Sequence, residues 1–168
     1  YTGRQFVLSQ GYHGWHDEFT SLTPPALGVC PQTYMHKLTS VDQVNSDIAA
    51  VIVEPVDLDN SPDRLIFLKQ LREKCTEKGV VLIFDEIITG ARYKDFCVAQ
   101  NIDIIPDLIL FGKAIAGGMP LALVGGRKEL MDGQYFVSST YAGENASLTA
   151  FKVILDLLQT KYDIDVLW

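Results

Sequence analysis

Two apolar runs in this chain are each followed, at the carboxyl end, by an ionisable residue. Lys113 follows the run Leu108–Phe111, and Asp85 closes the run that begins at Val80. Burying a charge is costly unless it is paired, and Gly112 leaves room for a ligand to approach the backbone beside Lys113. An amine partly shielded from water loses its proton more readily and can form a Schiff base with an aldehyde. We therefore take Lys113 as the first candidate for covalent chemistry.

Asp85 supplies the group that such a lysine needs as a partner. A carboxylate beside the ring nitrogen of pyridoxal phosphate (PLP) keeps that nitrogen protonated, so that the ring withdraws electrons from a bound substrate. On the residues alone, Asp85 could equally be a helix N-cap or a loop acid, and Glu86 is an equally good candidate for an exposed acid. Lys113 could likewise be a solvated lysine that pairs with a nearby acid.

Five motifs follow one another along the chain. They are Gly11-Tyr-His-Gly-Trp-His-Asp17, Val53-Glu-Pro55, Ile83-Phe-Asp-Glu-Ile-Ile-Thr-Gly-Ala-Arg92, Pro106-Asp-Leu-Ile-Leu-Phe-Gly-Lys-Ala-Ile-Ala-Gly-Gly-Met-Pro120 and Ser139-Thr-Tyr-Ala-Gly-Glu-Asn145. In this order they resemble the class III PLP-dependent aminotransferases, above all the glutamate-1-semialdehyde aminomutase-like branch. The resemblance covers nearly the whole chain. It implies a PLP-dependent transferase fold of type I, with the cofactor held as a Schiff base by Lys113.

The resemblance also implies which residues surround the cofactor. It places Asp85 at the pyridine nitrogen, and Ile87 and Tyr12 against opposite faces of the ring. It leaves two roles open for His13. The residue either orients the ring or the substrate directly, or it forms hydrogen bonds to the residues that do so. On the residues alone, Ile87 would belong to the core, and Tyr12 and His13 to a turn at the edge of the core.

Three further residues are assigned by the resemblance to the substrate or to a second subunit. Glu54 and Trp15 are implied to lie near the substrate. Taken alone, a glutamate at a strand end is often only a solvated residue where the chain leaves the core. Thr140 is implied to reach the PLP phosphate of a neighbouring subunit, which would make the active form a homodimer. Taken alone, Thr140 belongs to a hydroxylated turn.

The reaction implied by the resemblance is transfer of an amino group between an amine donor and a carbonyl acceptor. A 2,1-aminomutase or a PLP racemase would share Lys113 and Asp85, so the motifs do not separate these activities. We expect residues 1–168 to be the central part of a large PLP-binding domain. The family's phosphate-binding segment would precede Tyr1 and its small C-terminal domain would follow Trp168, so a catalytically incomplete fragment is the third possibility.

The composition is that of a folded protein without a nucleic-acid or membrane partner. Of the 168 residues 48% are apolar and 21% charged, and the net charge is −7. An acidic chain lacks the basic surface that nucleic acids and anionic membranes require. No apolar stretch approaches the roughly 20 residues of a membrane span. The absence of GxGxxG and P-loop motifs argues against a nucleotide-binding domain.

Metal binding and disulfide bonding are not expected from the sequence. His13, His16 and His36 lack carboxylates at the spacing of a metal site such as HExxH. The cysteines at positions 30, 75 and 97 are odd in number and widely spaced, which is typical of reduced intracellular thiols. Together with the resemblance, this predicts a cytoplasmic enzyme that acts on small-molecule amines and on keto or aldehyde substrates.

The elements that must position these residues follow from the apolar pattern. Strands are predicted over 5–10, 47–55, 80–84, 108–111 and 121–124, with a shorter one over 135–138, and helices over 61–78 and 146–160. Apolar strands that alternate with helices predict an α/β fold, with a mostly parallel sheet and helices on both faces. In such sheets ligands bind at the carboxyl ends of the strands. Glu54, Asp85 and Lys113 all follow or end a predicted strand.

Overall fold

The structure is a computed structural model that describes residues 1–56, 62–93, 95–133 and 135–160. The chain divides into two units, Tyr1–Asp85 and Glu86–Trp168. No helix within the described ranges is long and apolar enough to cross a lipid bilayer.

Parallel strands form the frame of the first unit. They are β1 (Phe6–Gln10), β2 (Met35–Lys37), β3 (Ile48–Val53) and β4 (Val81–Glu86), whose final residue already belongs to the second unit. Parallel pairing joins β1 to both β2 and β3, and β3 to β4. The side chains of Val51, Val53, Leu82 and Phe84 are fully buried. This explains why β3 and β4 are continuous apolar runs without the alternation of a half-exposed strand.

A long helix, α2 (Pro62–Lys78), connects β3 to β4. Its buried residues are Leu68, Leu71 and Cys75, spaced three and four positions apart on one face of the helix. Leu65 and Ile66, which the apolar pattern also suggested for this face, are 37% and 54% exposed. The helix ends at Gly79, which adopts the left-handed conformation (φ +62°) of a C-terminal cap. The expected N-cap, Ser61, lies outside the described residues.

Short elements complete the first unit. They are α1 (Asp17–Thr20) and a 3-10 turn at Val41–Gln43. A surface cavity of about 520 Å³ lies beside this turn and α2 and contains none of the candidate site residues; its lining is Val41, Asp42, Gln70, Glu73, Lys74 and Glu77.

The second unit is built around one antiparallel strand pair and one long helix. Its elements are α3 (Val98–Asn101), β5 (Leu108–Phe111), a 3-10 turn (Lys113–Ala116), β6 (Leu123–Gly126), α4 (Lys128–Met131) and α5 (Asn145–Thr160). β5 and β6 pair in antiparallel fashion, with Leu108 opposite Gly126. Phe151, Ile154 and Leu158 of α5 pack on the fully buried Ile115 and Ala116 of the turn.

The predicted α/β fold with mostly parallel strands is confirmed, and the helices over 62–78 and 145–160 form as expected. Two strand predictions need correction. The strand expected at 121–124 lies at Leu123–Gly126, and residues 135–138 form no strand but an exposed segment in which Phe136 is 97% exposed. The edge strand β2 was not predicted, because His36 and Lys37 are exposed and leave no apolar pattern.

Candidate active site

A buried pair between Asp85 and His13 lies in the first unit. Strand β4 carries Asp85 at its carboxyl end, and the Asp85 Oδ2 atom is 2.8 Å from His13 Nδ1. The side chains of His13 and Asp85 are only 1% and 4% exposed. The other ring nitrogen of His13 lies 3.1 Å from the backbone carbonyl oxygen of Gln10. The edge of the Phe19 ring packs near the imidazole, with 5.3 Å between centroids. The orientation of the Asp85 carboxylate is therefore fixed.

The loop that carries Tyr12 and His13 begins at a glycine whose geometry the site requires. Gly11 has φ +112°, and a Cβ atom there would lie 2.5 Å from Glu54 Oε2. Because the glycine leaves this space, the Glu54 carboxylate reaches the Tyr12 backbone N–H, which donates to Oε2 at 2.8 Å. The ring of Tyr12 is left 64% exposed. Glu54 is thus tied to the backbone of the residue expected to face the cofactor.

An arginine that sequence reasoning did not single out joins the ends of two strands. Arg64, in the first turn of α2, donates hydrogen bonds to the side-chain oxygen of Gln10 and to the backbone oxygen of Glu54. Its guanidinium also lies over the ring of Phe67, 5.1 Å from the centroid. Gln10 ends β1 and Glu54 directly follows β3. The only signal in the sequence is a basic residue early in the helix that follows Glu54.

Trp15 lies at the far end of the same loop. Its side chain is 78% exposed and stacks on His16, with centroids 5.1 Å apart and an angle of 14° between the rings. A large exposed apolar ring beside the Tyr12 loop offers a contact surface to a ligand or a partner.

Lys113 stands at a strained backbone position in the second unit. Its φ is +48°, in the left-handed region that residues with a side chain seldom adopt and that is common at functional sites. The next turn is anchored by Ile115 and Ala116, which are fully buried, whereas Lys113 itself is exposed. The partly shielded amine expected from the sequence is therefore not observed. Lys113 is therefore an exposed residue with a left-handed backbone conformation.

Ile87 packs against the residue that precedes this lysine. A Cβ atom added to Gly112 would lie 3.2 Å from Ile87 Cγ2, so the glycine allows the two segments to approach closely. Ile87 is half-buried, which leaves part of its side chain available to a ligand. The structure thus places Ile87 beside the backbone that carries Lys113.

Glu86 is fully buried, so it is not the exposed acid that the sequence left open as an alternative. Its carboxylate accepts hydrogen bonds from the Thr89 hydroxyl at 2.6 Å and from the backbone N–H groups of Val98 and Ala99, both at 2.8 Å. It therefore caps the start of α3 and holds the loop that begins at Ile87. Burial, together with the Glu86 charge, raises the pKa of Cys97 above its usual value. Sequence reasoning missed this role because the donors lie up to 13 residues later.

Thr140 lies in a fully exposed stretch of the second unit. Shortly after it, Glu144 caps α5 by accepting the backbone N–H groups of Ala146 and Ser147, at 2.6 and 2.7 Å. Hydrogen bonds from Ser147 and then from Ala146 lower the pKa of Glu144. Arg92, the last residue of the motif that begins at Ile83, is half-buried.

The structure thus assembles two groups of candidate residues, one in each unit. Tyr12, His13, Glu54 and Asp85 are linked by hydrogen bonds through one loop of the first unit. In the second unit Ile87 lies beside Gly112, next to Lys113. Trp15 and Thr140 are exposed residues outside these links.

Parallel strands with functional groups at their carboxyl ends are typical of an α/β protein that binds a ligand at this edge of its sheet. The chain belongs to the class III aminotransferase family, whose pattern matches residues 9–164. It is 34% identical over 93% of its length to a glutamate-1-semialdehyde 2,1-aminomutase of Pelodictyon phaeoclathratiforme, of which it covers 44%. It is 35% identical over 97% of its length to glutamate-1-semialdehyde 2,1-aminomutase 1 of Lachnoclostridium phytofermentans, of which it covers 45%.

The fold is also found in solved structures. The PLP internal aldimine form of the FumI protein of Sphingopyxis sp. MTA144 superposes on 99% of this chain with a TM-score of 0.86 and 25% sequence identity. That superposition covers 44% of the FumI chain. The chain therefore spans less than half the length of the relatives that it matches.

Proposed function

We propose that this chain is part of a PLP-dependent aminotransferase, which moves an amino group between a small-molecule amine donor and a keto or aldehyde acceptor. The observation that carries the proposal is the buried His13–Asp85 pair at the end of β4. A stable core does not need a buried polar pair at this position, because replacing buried pairs of this kind with apolar residues is often neutral or stabilising. A fixed carboxylate at a strand end is what the nitrogen of a PLP ring requires.

The residues present fit this cofactor. Lys113 offers an amine on an exposed residue with φ +48°, and Asp85 offers a carboxylate that His13 Nδ1 contacts at 2.8 Å. Tyr12 is 64% exposed and Ile87 half-buried, so both have apolar surface available to the faces of a ring.

The proposed division of labour follows from these contacts. Bound PLP supplies a protonated ring that stabilises negative charge on the substrate carbon. Asp85 would hold the proton at the ring nitrogen, and His13 would keep the carboxylate oriented. The amine of Lys113 would hold the cofactor and would serve as the base that carries a proton at the substrate carbon. Tyr12 and Ile87 would offer apolar surface to the faces of the ring.

The substrate side is assigned to Trp15 and Glu54. Trp15 is the better placed of the two for direct contact, because its ring is 78% exposed. The Glu54 carboxylate already accepts the Tyr12 backbone N–H at 2.8 Å. Glu54 can therefore influence the reaction without touching the substrate.

We further propose that the active form is a cytoplasmic homodimer in which Thr140 reaches the PLP phosphate of the partner subunit. Support comes from the apolar side chains around Thr140, since Phe136, Val137 and Tyr141 are 97%, 83% and 75% exposed. Exposed apolar patches of this kind mark interaction surfaces. The cytoplasmic assignment is supported by the cysteines at positions 30, 75 and 97, which form no disulfide with one another. Light scattering of the purified protein is expected to give the mass of two chains, and the mass of one chain would contradict the dimer.

Covalent attachment to Lys113 is the prediction that tests the function. The purified chain is mixed with PLP, its visible absorbance is recorded, and the adduct is reduced with borohydride, digested and mapped by mass spectrometry. We expect the cofactor on the peptide that contains Lys113, and no adduct in Lys113→Ala. Lys128→Ala is the matched control, because Lys128 is an exposed lysine of the same unit. An adduct that persists in Lys113→Ala would overturn the assignment.

A 2,1-aminomutase is the second candidate, and a PLP racemase the third. The aminomutase is favoured by the two relatives that carry this name and are 34% and 35% identical to the chain. Product analysis with and without an external keto acid separates the activities, because only the transaminase needs the acceptor. If a folded sample forms no adduct at all, the chain alone is an incomplete enzyme.

A further inference from the structure

We propose that Glu54 and Arg64 act as positioning residues for the loop that carries Tyr12 and His13. Together with Gln10 they form a hydrogen-bonded group, called here the Gln10–Glu54–Arg64 brace. The brace joins the ends of β1 and β3 and fixes the backbone of Tyr12. The consequence for a bound ring rests on the proposed function, whereas the fixation of the loop does not.

The first step of the argument is the contact between Glu54 and the loop. The Glu54 carboxylate accepts the Tyr12 N–H at 2.8 Å, and hydrogen bonds to a charged acceptor are about twice as strong as neutral ones. Gly11 has φ +112°, and a Cβ atom there would lie 2.5 Å from Glu54 Oε2. The chain thus has a glycine at the position where any side chain would separate the carboxylate from the loop.

The second step is that Glu54 is itself held in place. Its backbone N–H donates to the Gln10 carbonyl oxygen at 3.3 Å, and its backbone oxygen accepts from Arg64. The same guanidinium donates to the Gln10 side chain. A planar guanidinium can bind two acceptors at once in a fixed geometry, which a lysine ammonium does not reproduce.

The third step connects the brace to the buried pair. The Gln10 carbonyl oxygen that receives the Glu54 N–H also lies 3.1 Å from His13 Nε2, and His13 Nδ1 contacts Asp85 at 2.8 Å. The brace therefore contacts Tyr12 through the Glu54 carboxylate and His13 through the Gln10 carbonyl oxygen. A change at Glu54 is expected to act on the reaction through the position of Tyr12.

The test separates an acceptor role of Glu54 from a charge role. Glutamine keeps an oxygen that can accept the Tyr12 N–H but loses the charge, whereas alanine loses both. Amide hydrogen exchange at Tyr12 is measured by NMR on the full chain without cofactor. We expect protection in the wild type and in Glu54→Gln, and a loss of about 10- to 100-fold in Glu54→Ala. Glu73→Ala, at an exposed glutamate of the same unit, is expected to leave it unchanged.

The outcomes are decisive even if one variant fails to fold. An unprotected Tyr12 amide in the wild type would overturn the proposal outright. Equal protection in wild type and Glu54→Ala would overturn it as well. Arg64→Lys is expected to lower the protection, since an ammonium lacks the planar, forked arrangement of donors with which Arg64 reaches both acceptors. Full protection in that variant would show that Arg64 is not part of the brace. Because no cofactor is added, these results are independent of whether the chain binds PLP.

A second readout covers the reaction itself. In a sample that forms the Lys113 adduct, Glu54→Gln is expected to lose less activity than Glu54→Ala, because only glutamine keeps an oxygen that can accept the Tyr12 N–H. If Gln and Ala at position 54 lose activity equally while the Tyr12 amide stays protected, Glu54 acts by its charge and the positioning role is wrong.

Discussion

Replacing Glu86 with glutamine tests whether one buried carboxylate holds the loop that follows β4. The side chain is fully buried. One oxygen accepts from Thr89 and Val98 and the other from Ala99. Glutamine keeps the shape but turns one of these oxygens into an NH2 donor. In either orientation of the amide one backbone N–H loses its acceptor, whereas the Thr89 hydroxyl can rotate and accept instead.

The expected magnitude follows from this count of lost bonds. A hydrogen bond to a charged group contributes roughly 1.5–3 kcal/mol, and a buried donor left without an acceptor costs about 1–3 kcal/mol. Because these figures describe the same N–H and are not added, we expect the free energy of unfolding to fall by about 1.5–3 kcal/mol in Glu86→Gln.

Urea unfolding followed by circular dichroism measures this loss. Glu73→Gln makes the same chemical change at an exposed residue of α2 and is expected to stay within about 0.5 kcal/mol of the wild type. If Glu86→Gln is as stable as this control, the three hydrogen bonds to Glu86 do not stabilise the loop that follows β4, and the reasoning is refuted.

Two further predictions concern the second unit. Gly112→Ala is expected to weaken formation of the Lys113 adduct in the absorbance assay, because the new Cβ would lie 3.2 Å from Ile87 Cγ2, whereas Gly125→Ala, with its nearest contact at 3.6 Å, should have little effect; equal adduct formation in the two variants would contradict this. Hydrogen bonds from Ser147 lower the pKa of Glu144 below its ordinary value of 4.5, so its contribution to folding is present above that value and lost as the pH falls through the lowered pKa. Glu144→Gln should therefore flatten the acid limb of the unfolding curve measured by circular dichroism, and an unchanged limb would count against the cap.

The parts of the fold that the sequence predicted are those with a strong local pattern. β3 and β4 are continuous apolar runs because both faces are buried, and α5 repeats its apolar residues at helical spacing. The segment at 135–138 has the aromatic and β-branched residues of a strand, yet Phe136 is 97% exposed. A local pattern describes what a segment prefers, and it contains no information on whether a neighbouring strand is available.

The residues of the candidate site also divide into those that the sequence suggested and those that it did not. Lys113, Asp85 and the Tyr12 loop were predicted from motifs, because chemistry restricts which residue types can stand at strand ends. The brace residues Gln10 and Arg64 were missed, since their partners are distant in the sequence and neither residue type is rare at the surface. The pairing of His13 with Asp85 spans 72 positions, so it becomes visible only when the strands are assembled.

The left-handed backbone at Lys113 lowers the stability of the fold at a residue that is proposed to act in the reaction. A residue with a side chain gives up about 1–2 kcal/mol in that conformation relative to glycine. A sequence selected for stability alone would therefore place glycine at position 113. If Lys113 binds the cofactor as proposed, the presence of lysine there, on a turn whose next residues are fully buried, is a stability–activity trade-off: the buried residues of the turn hold one strained residue that serves the reaction.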